Sequence, residues 1–215
     1  MANLPRDLRK NFKALFSWTS MVPASIITGS AGTASGFDDE VQEYFGETER
    51  FGKMGDIAGN PFVLTGAFGG LIVAGRLSED DRFRSLSYRL IQGFALNNAV
   101  TFALKVSVRR KRPDGGNHSF PSGHASNVFT AAAILGDHYG KKVSIPLHLF
   151  GLLVSLTRLD KDSHWVSDSV AGAGLGLLIG HTVIGETRLP TPSRHLTWMP
   201  TFPADGVGIR FFIRP

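Results

Sequence analysis

Four apolar stretches of this 215-residue chain, at 57–75, 90–104, 143–157 and 169–185, are among those that carry no charged side chain. Segments that apolar must be hidden from water, either inside a protein or inside lipid, so they fix the architecture. A bilayer-spanning helix needs about 20 mostly apolar residues. The longest of these four has nineteen residues, and each includes Asn, His, Gly or Ser. With a mean hydropathy of only +0.02, they read as buried helices of a bundle rather than short membrane spans. The region 14–37 is longer, but it is rich in Ser, Thr and Gly and contains Pro23. It follows Arg6, Arg9, Lys10 and Lys13, the pattern of a weak signal anchor, against which Asp7 and the scattered hydroxyls count.

Helical periodicity continues along the chain at about 38–50, 59–77, 81–111, 123–139, 143–158 and 164–185, with breakers at 52–59, 112–122 and 160–163. At the N-terminus, Leu4, Leu8, Phe12, Leu15 and Phe16 fall at helical spacing, predicting an amphipathic helix over 4–16. That helix either packs on the bundle or lies on an anionic membrane surface. Near the other end Val207, Ile209, Phe211 and Ile213 alternate after a Pro-Ala-Asp-Gly turn, which predicts a small hairpin over 196–213. The expected fold is all-α, a helical bundle with a core at 38–185 and this hairpin appended, the whole of 1–215 forming one domain. The acidic clusters Asp38-Asp39-Glu40 and Glu79-Asp80-Asp81 read as solvated helix caps rather than metal ligands. There is no cysteine, which excludes disulfide scaffolds, thiolate metal sites and cysteine nucleophiles.

Three short segments carry chemistry. The first is Lys105 to Pro113, where Lys105, Arg109 and Arg112 would share one side of a helix that Pro113 ends near Arg112. Such a stripe suits an anion, but equally a solvated basic face or a nucleic-acid contact; Arg109 is either an auxiliary cation or the partner of a nearby carboxylate. The second is Phe120-Pro121-Ser122-Gly123-His124. Ser122 is a natural N-cap, Gly123 lets a ligand approach the backbone, and the free N–H groups of a helix start attract anions. The third runs from Thr157 to Asp168. His164 and Asp168 are four residues apart, so a helix would bring them together, and the carboxylate would fix the imidazole tautomer. Arg158 supplies a bidentate fork for a phosphate.

In this order and spacing the three segments resemble the type 2 phosphatidic acid phosphatase superfamily, which also contains bacterial acid phosphatases, glucose-6-phosphatases and vanadium haloperoxidases. The resemblance covers most of 59–185, with one departure: the third motif usually opens Ser-Arg and here opens Thr157-Arg158. It implies that Lys105, Arg112 and Arg158 bind phosphate oxygens with Ser122 and the Gly123 backbone. It further implies His164 as nucleophile, Asp168 as its orienting carboxylate and His124 as general acid, with no metal or other cofactor and with vanadate binding as a phosphate mimic. The implied activity is hydrolysis of a lipid phosphomonoester or pyrophosphate such as phosphatidic acid, through a phosphohistidine, by a membrane-associated or periplasmic enzyme whose site faces away from the cytoplasm. Alternatives are a soluble exported acid phosphatase acting on small phosphomonoesters, a haloperoxidase, and a non-catalytic anion-binding bundle; nucleic acid is not an expected partner.

Among the other histidines, His118 is placed to line the mouth of the pocket, whereas His138, His148, His181 and His195 read as surface or satisfied core groups. Gly172, Gly176 and Gly180 recur every four residues after Asp168. They make a small-residue face on which the helix begun at Ser122 is expected to pack closely.

Overall fold

The computed structural model describes residues 3–45, 61–187, 195–201 and 208–214. Among the described residues the helices are α1 (Leu4–Leu15), α2 (Trp18–Ala34), α3 (Asp38–Phe45), α4 (Pro61–Leu77), α5 (Asp81–Val108), α6 (Gly123–Tyr139), α7 (Lys141–Asp160) and α8 (Val166–Thr187). Strands β1 (His195–Thr201) and β2 (Gly208–Arg214) pair antiparallel, with Leu196 opposite Ile213. The expected helical residues 46–50 and 59–60, the breaker at 52–59 and the hairpin turn lie outside the described residues.

Helix α6 is the axis of the bundle. Ten of its residues are buried, from Ala125 to Leu135, because α5, α7 and α8 all pack on it. The glycine face of α8 is turned to α6 as expected. A Cβ on Gly180 would sit 2.6 Å from that of Ala133, and one on Gly176 would collide with the Ser126 carbonyl oxygen. The two backbones therefore meet more closely than any side chain would allow. Beyond that contact Leu86 and Leu90 of α5, Ile134 and Leu135 of α6 and Val183 and Ile184 of α8 form the main apolar cluster.

Two elements differ from the expectation. The segment around Pro23 is a continuous helix, α2, in which Ser25, Thr28 and Thr33 each donate to the carbonyl four residues back, at 2.9–3.0 Å. Helix α5 ends at Val108, not near Arg112. Arg109 is its C-cap in the left-handed conformation (φ 52°), and its Nε donates to the Val106 carbonyl (3.0 Å). Lys105, Arg109 and Arg112 therefore do not form a helical stripe.

Helix α1 is pinned by its polar side. Asn11 is buried and donates to Gln92 (2.6 Å), Tyr88 donates to Asp7 (2.8 Å), and Lys10 pairs with Glu186 (2.8 Å). Phe12 and Phe16 face outward instead, 49% and 71% exposed, so the apolar stripe does not join the core.

Candidate active site

The loop from Arg109 to Ser122, the start of α6 and the turn between α7 and α8 converge on one end of the bundle. Left-handed Arg109 turns the chain back on itself, and the loop then closes through Ser119 N to the Arg110 carbonyl (2.9 Å) and Arg112 N to the Gly116 carbonyl (2.8 Å). Asp114 N donates to the Asp162 carbonyl (3.1 Å) and Trp165 Nε1 to the Lys111 carbonyl (2.8 Å), tying the loop to the α7–α8 turn. Ser122 caps α6 by accepting from Ala125 N, and its own N–H donates to the Asp168 carbonyl (2.9 Å), which joins the starts of α6 and α8.

These joints enclose a cavity of about 620 Å³ whose lining falls into two groups. Lys105, Arg112, Arg158, Gly123, His124, Ser163 and His164 form the polar group; Phe68, Ile72 and Phe94 form an apolar wall, with Asn98 and Asn127 also lining the space. The three motifs thus share one chamber. Lys105 is steadied by donating to the carbonyls of His118 (2.6 Å) and Ser119 (3.2 Å). Arg112 Nε and His124 Nε2 are buried without a hydrogen-bond partner among the described residues. Buried donors without partners are costly unless a ligand satisfies them, and a tetrahedral oxyanion has the acceptors to do so.

The charge in this chamber reshapes both imidazoles. Burial, and then the positive field of Arg158, push His124 down to about 4, with His164, Lys105 and Arg112 adding to the fall. Burial also holds His164 below the ordinary histidine value; Lys105 and Arg112 act in the same sense, while Asp168 opposes them. His164 is 3% exposed. Its Nδ1 lies 3.6 Å from Asp168 Oδ2, an ion-pair distance slightly beyond a hydrogen bond, which leaves Nε2 as the nitrogen not facing the carboxylate.

Not every expected residue joins the cradle. Ser122 is fully buried and spends its hydroxyl on the helix cap, so it does not line the cavity. Arg109 is exposed and turned to its own helix. His118 is exposed, at φ 60°, and gives Lys105 its carbonyl rather than lining the cavity with its ring. Of the remaining histidines, His148 and His181 bond the main-chain carbonyls of Ser144 (2.7 Å) and Leu177 (2.8 Å). The side chain of His195 is outside the described residues.

Three residues that the motifs did not single out bond the Asp168 carboxylate. Its Oδ1 accepts from Arg110 (2.9 Å); its Oδ2 accepts from the Ser119 hydroxyl and from Trp165 N (3.0 Å). Arg110 also donates to Ser167 Oγ (2.6 Å) and Asp38 Oδ2 (2.6 Å). Asp38, expected to be a solvated cap, is 5% exposed. The cap expectation holds for Asp80, which accepts from Arg82 N (2.8 Å) at the start of α5.

Comparison with known proteins agrees with this geometry. A lipid A 1-phosphatase of Porphyromonas gingivalis is 34% identical over 92 residues, 41% of this chain and 21% of that protein. One of Helicobacter pylori is 40% identical over 68 residues, 32% of this chain and 36% of that protein. A PA-phosphatase related-family protein of Dictyostelium discoideum is 30% identical over 151 residues, 57% of this chain and 54% of that protein. The matches thus span between about a fifth and about half of these curated relatives. In fold, the chain is similar to a transmembrane PAP2 type phosphatidylglycerolphosphate phosphatase from Bacillus subtilis, with a TM-score of 0.62 and 21% identity, covering 76% of this chain and 94% of that one. Residues 88–186, which hold all three motifs and run from within α5 to the last turn of α8, match the PAP2 superfamily.

Proposed function

We propose that the chain is a membrane-associated phosphatase of lipid phosphate esters. The observation that carries this reading is the single cavity in which three cations and two imidazoles share walls with Phe68, Ile72 and Phe94. The cationic group suits a phosphate, and the apolar wall suits the hydrocarbon attached to it. The curated relatives named as lipid A 1-phosphatases and as a PA-phosphatase related protein support the same substrate class.

The chemistry proceeds in two steps. Neutral His164 attacks phosphorus through Nε2, forming a P–N bond as the P–O bond to the lipid alcohol breaks. Lys105, Arg112 and Arg158 stabilise the charge on the three equatorial oxygens. Protonated His124 passes its Nε2 proton to the departing alkoxide. Water then attacks the phosphohistidine, giving a proton to His124 as the P–N bond breaks, and phosphate leaves.

Membrane association rests on two helices long and apolar enough to cross a bilayer, α7 over Lys141–Asp160 and α8 over Val166–Glu186. The outer face of α7 exposes Ile145, Leu149 and Leu152, each more than half accessible, a stripe suited to acyl chains rather than water. Orientation follows from charge. Arg6, Arg9, Lys10 and Lys13 of α1, Arg76 at the end of α4 and Lys141 and Lys142 at the start of α7 sit at the end of the bundle away from the cavity. Lys and Arg near the ends of spanning helices favour the cytoplasmic side, and this basic cluster supports the reading in which the cavity opens on the opposite face.

A phosphate-release screen separates the readings. Phosphatidic acid in mixed micelles should be cleaved far better than p-nitrophenyl phosphate, and His164→Ala should retain less than a few per cent of the rate. Equal turnover of the soluble ester without detergent would favour a soluble acid phosphatase; an active His164→Ala would remove the nucleophile assignment.

A further inference from the structure

Asp168 cannot turn. Arg110 takes one carboxylate oxygen, and Ser119 with Trp165 N takes the other. Arg110 is itself held from the far side by Asp38, the first residue of α3, whose two oxygens also receive the main-chain N–H (2.9 Å) and hydroxyl (2.7 Å) of Ser167. The side chains of Asp38, Arg110 and Asp168 are 6%, 29% and 0% exposed, so water does little to screen them. Gln42, one turn further along α3, bonds Asp162 and reaches the Leu159 carbonyl (3.4 Å), gripping the turn that carries His164. Helix α3 precedes the family-matched segment 88–186, yet it fastens both the nucleophile's turn and the carboxylate behind it.

Resting on the phosphatase reading above, we propose that Arg110 and Asp38 are positioning residues for the phosphoryl-transfer step: Asp38 sets Arg110, Arg110 sets Asp168, and Asp168 fixes the tautomer and proton affinity of His164. A carboxylate facing an imidazole stabilises the imidazolium. Unbalanced, Asp168 would keep His164 protonated and unable to attack. The guanidinium 2.9 Å from Asp168 offsets that field, while its second nitrogen spends part of its charge on Asp38. Around His164 the other titratable groups are Lys105 of α5, Arg112 of the loop, His124 of α6 and Arg158 of α7, all lining the same cavity. Arg110 differs from these groups in contacting Asp168, the carboxylate that faces His164, without lining that cavity itself. Its loss therefore acts on the imidazole rather than on phosphate binding.

The test uses the full chain in detergent micelles. For Arg110→Gln, kcat on phosphatidic acid should fall about 10- to 100-fold with KM within about threefold. The acid limb of kcat/KM should move to higher pH by about 0.5–1 unit, because an unbalanced Asp168 raises the proton affinity of His164. Arg110→Lys should return the limb to its wild-type position. Asp38→Asn should cost about 3- to 10-fold in kcat alone and nothing more in the Arg110→Gln background, since both act through one guanidinium. Histidine 15N NMR of the same variants reads His164 directly: its titration should move up in Arg110→Gln, whatever the turnover. An unmoved His164 titration, or losses from Asp38→Asn and Arg110→Gln that multiply, overturns the proposal. Should wild type release no phosphate from either ester while His164 still shifts, the phosphatase reading fails and the positioning network stands.

Discussion

Filling the cavity with an anion should make the protein take up a proton, and His124 is where that proton goes. In the free site burial and the surrounding cations push this imidazole down to about 4. A free imidazole titrates near 6.5, so the shift of about 2.5 units corresponds to about 3 kcal/mol against protonation. A single unit charge about 4 Å away, at an effective dielectric constant of about 20, is worth about 4 kcal/mol. A bound dianion therefore offsets the penalty of burial together with the field of the cations and returns His124 to about 6.5 or above. Near pH 5.5 the fraction protonated then rises from about 0.03 in the free protein to about 0.9 in the complex, an uptake close to one proton. Sulfate, ionised throughout this range, is the probe. Its affinity should strengthen about tenfold per pH unit as pH falls from about 6.5 towards 4, and calorimetry in two buffers of different ionisation enthalpy counts the proton. In His124→Gln the extra uptake and the slope should vanish. Equal slopes in the two proteins would refute the reasoning, because the anion would then be bound beyond the electrostatic reach of His124. In the proposed mechanism the same linkage would supply the general acid, the substrate's own charge loading His124 with the proton to be donated.

Three further outcomes follow from the same geometry. Without ligand, His124 is neutral when folded but free to protonate when unfolded, so its contribution to stability is full above about 6.5 and falls away as pH drops towards 4; thermal melts should show His124→Gln losing less stability across that window than wild type. Gly176→Ala should cost about 1–3 kcal/mol, read as a lower melting temperature in detergent, because its Cβ meets the Ser126 carbonyl oxygen and the backbone there cannot yield cheaply; an unchanged melt would mean that α6 and α8 are not packed this closely. Phe94→Ala should raise KM severalfold for a long-chain phosphatidic acid and leave p-nitrophenyl phosphate unaffected, since only the lipid reaches the apolar wall; a matching change for both substrates would place the hydrocarbon elsewhere.

The helices that periodicity located, α1 and α3 to α8, are the ones whose sequences repeat apolar side chains at intervals of three and four. Gly172, Gly176 and Gly180 were legible as a packing face for the same reason: a regular spacing maps onto one side of a helix. Helix α2 was less legible, because Pro23 and the scattered Ser, Thr and Gly give 14–37 no apolar period, although the hydroxyls donate back to their own helix. The polarity of α1 was misleading in another way. Its apolar stripe looked like the inward face, yet the core accepted Asp7 and Asn11 because Tyr88 and Gln92 were waiting with partners.

Within the site, the residues legible in advance are those whose chemistry depends on local spacing: Ser122 as a cap for α6, and His164 four residues before Asp168. Arg109, Arg110 and Arg112 are chemically alike and adjacent in sequence, so no pattern of residue types could divide their duties. One backbone torsion did so. With Arg109 at φ 52° closing α5, Arg109 stays on its own helix, Arg110 turns to Asp38 and Asp168, and Arg112 reaches the cavity. Asp38 was illegible for a related reason. Its partner lies 72 residues away, and an acid at a helix start looks the same from its neighbours whether it faces water or a guanidinium. The lining of the cationic cavity is therefore written in short motifs, whereas the network behind His164 exists only once α3 is folded against the turn between α7 and α8.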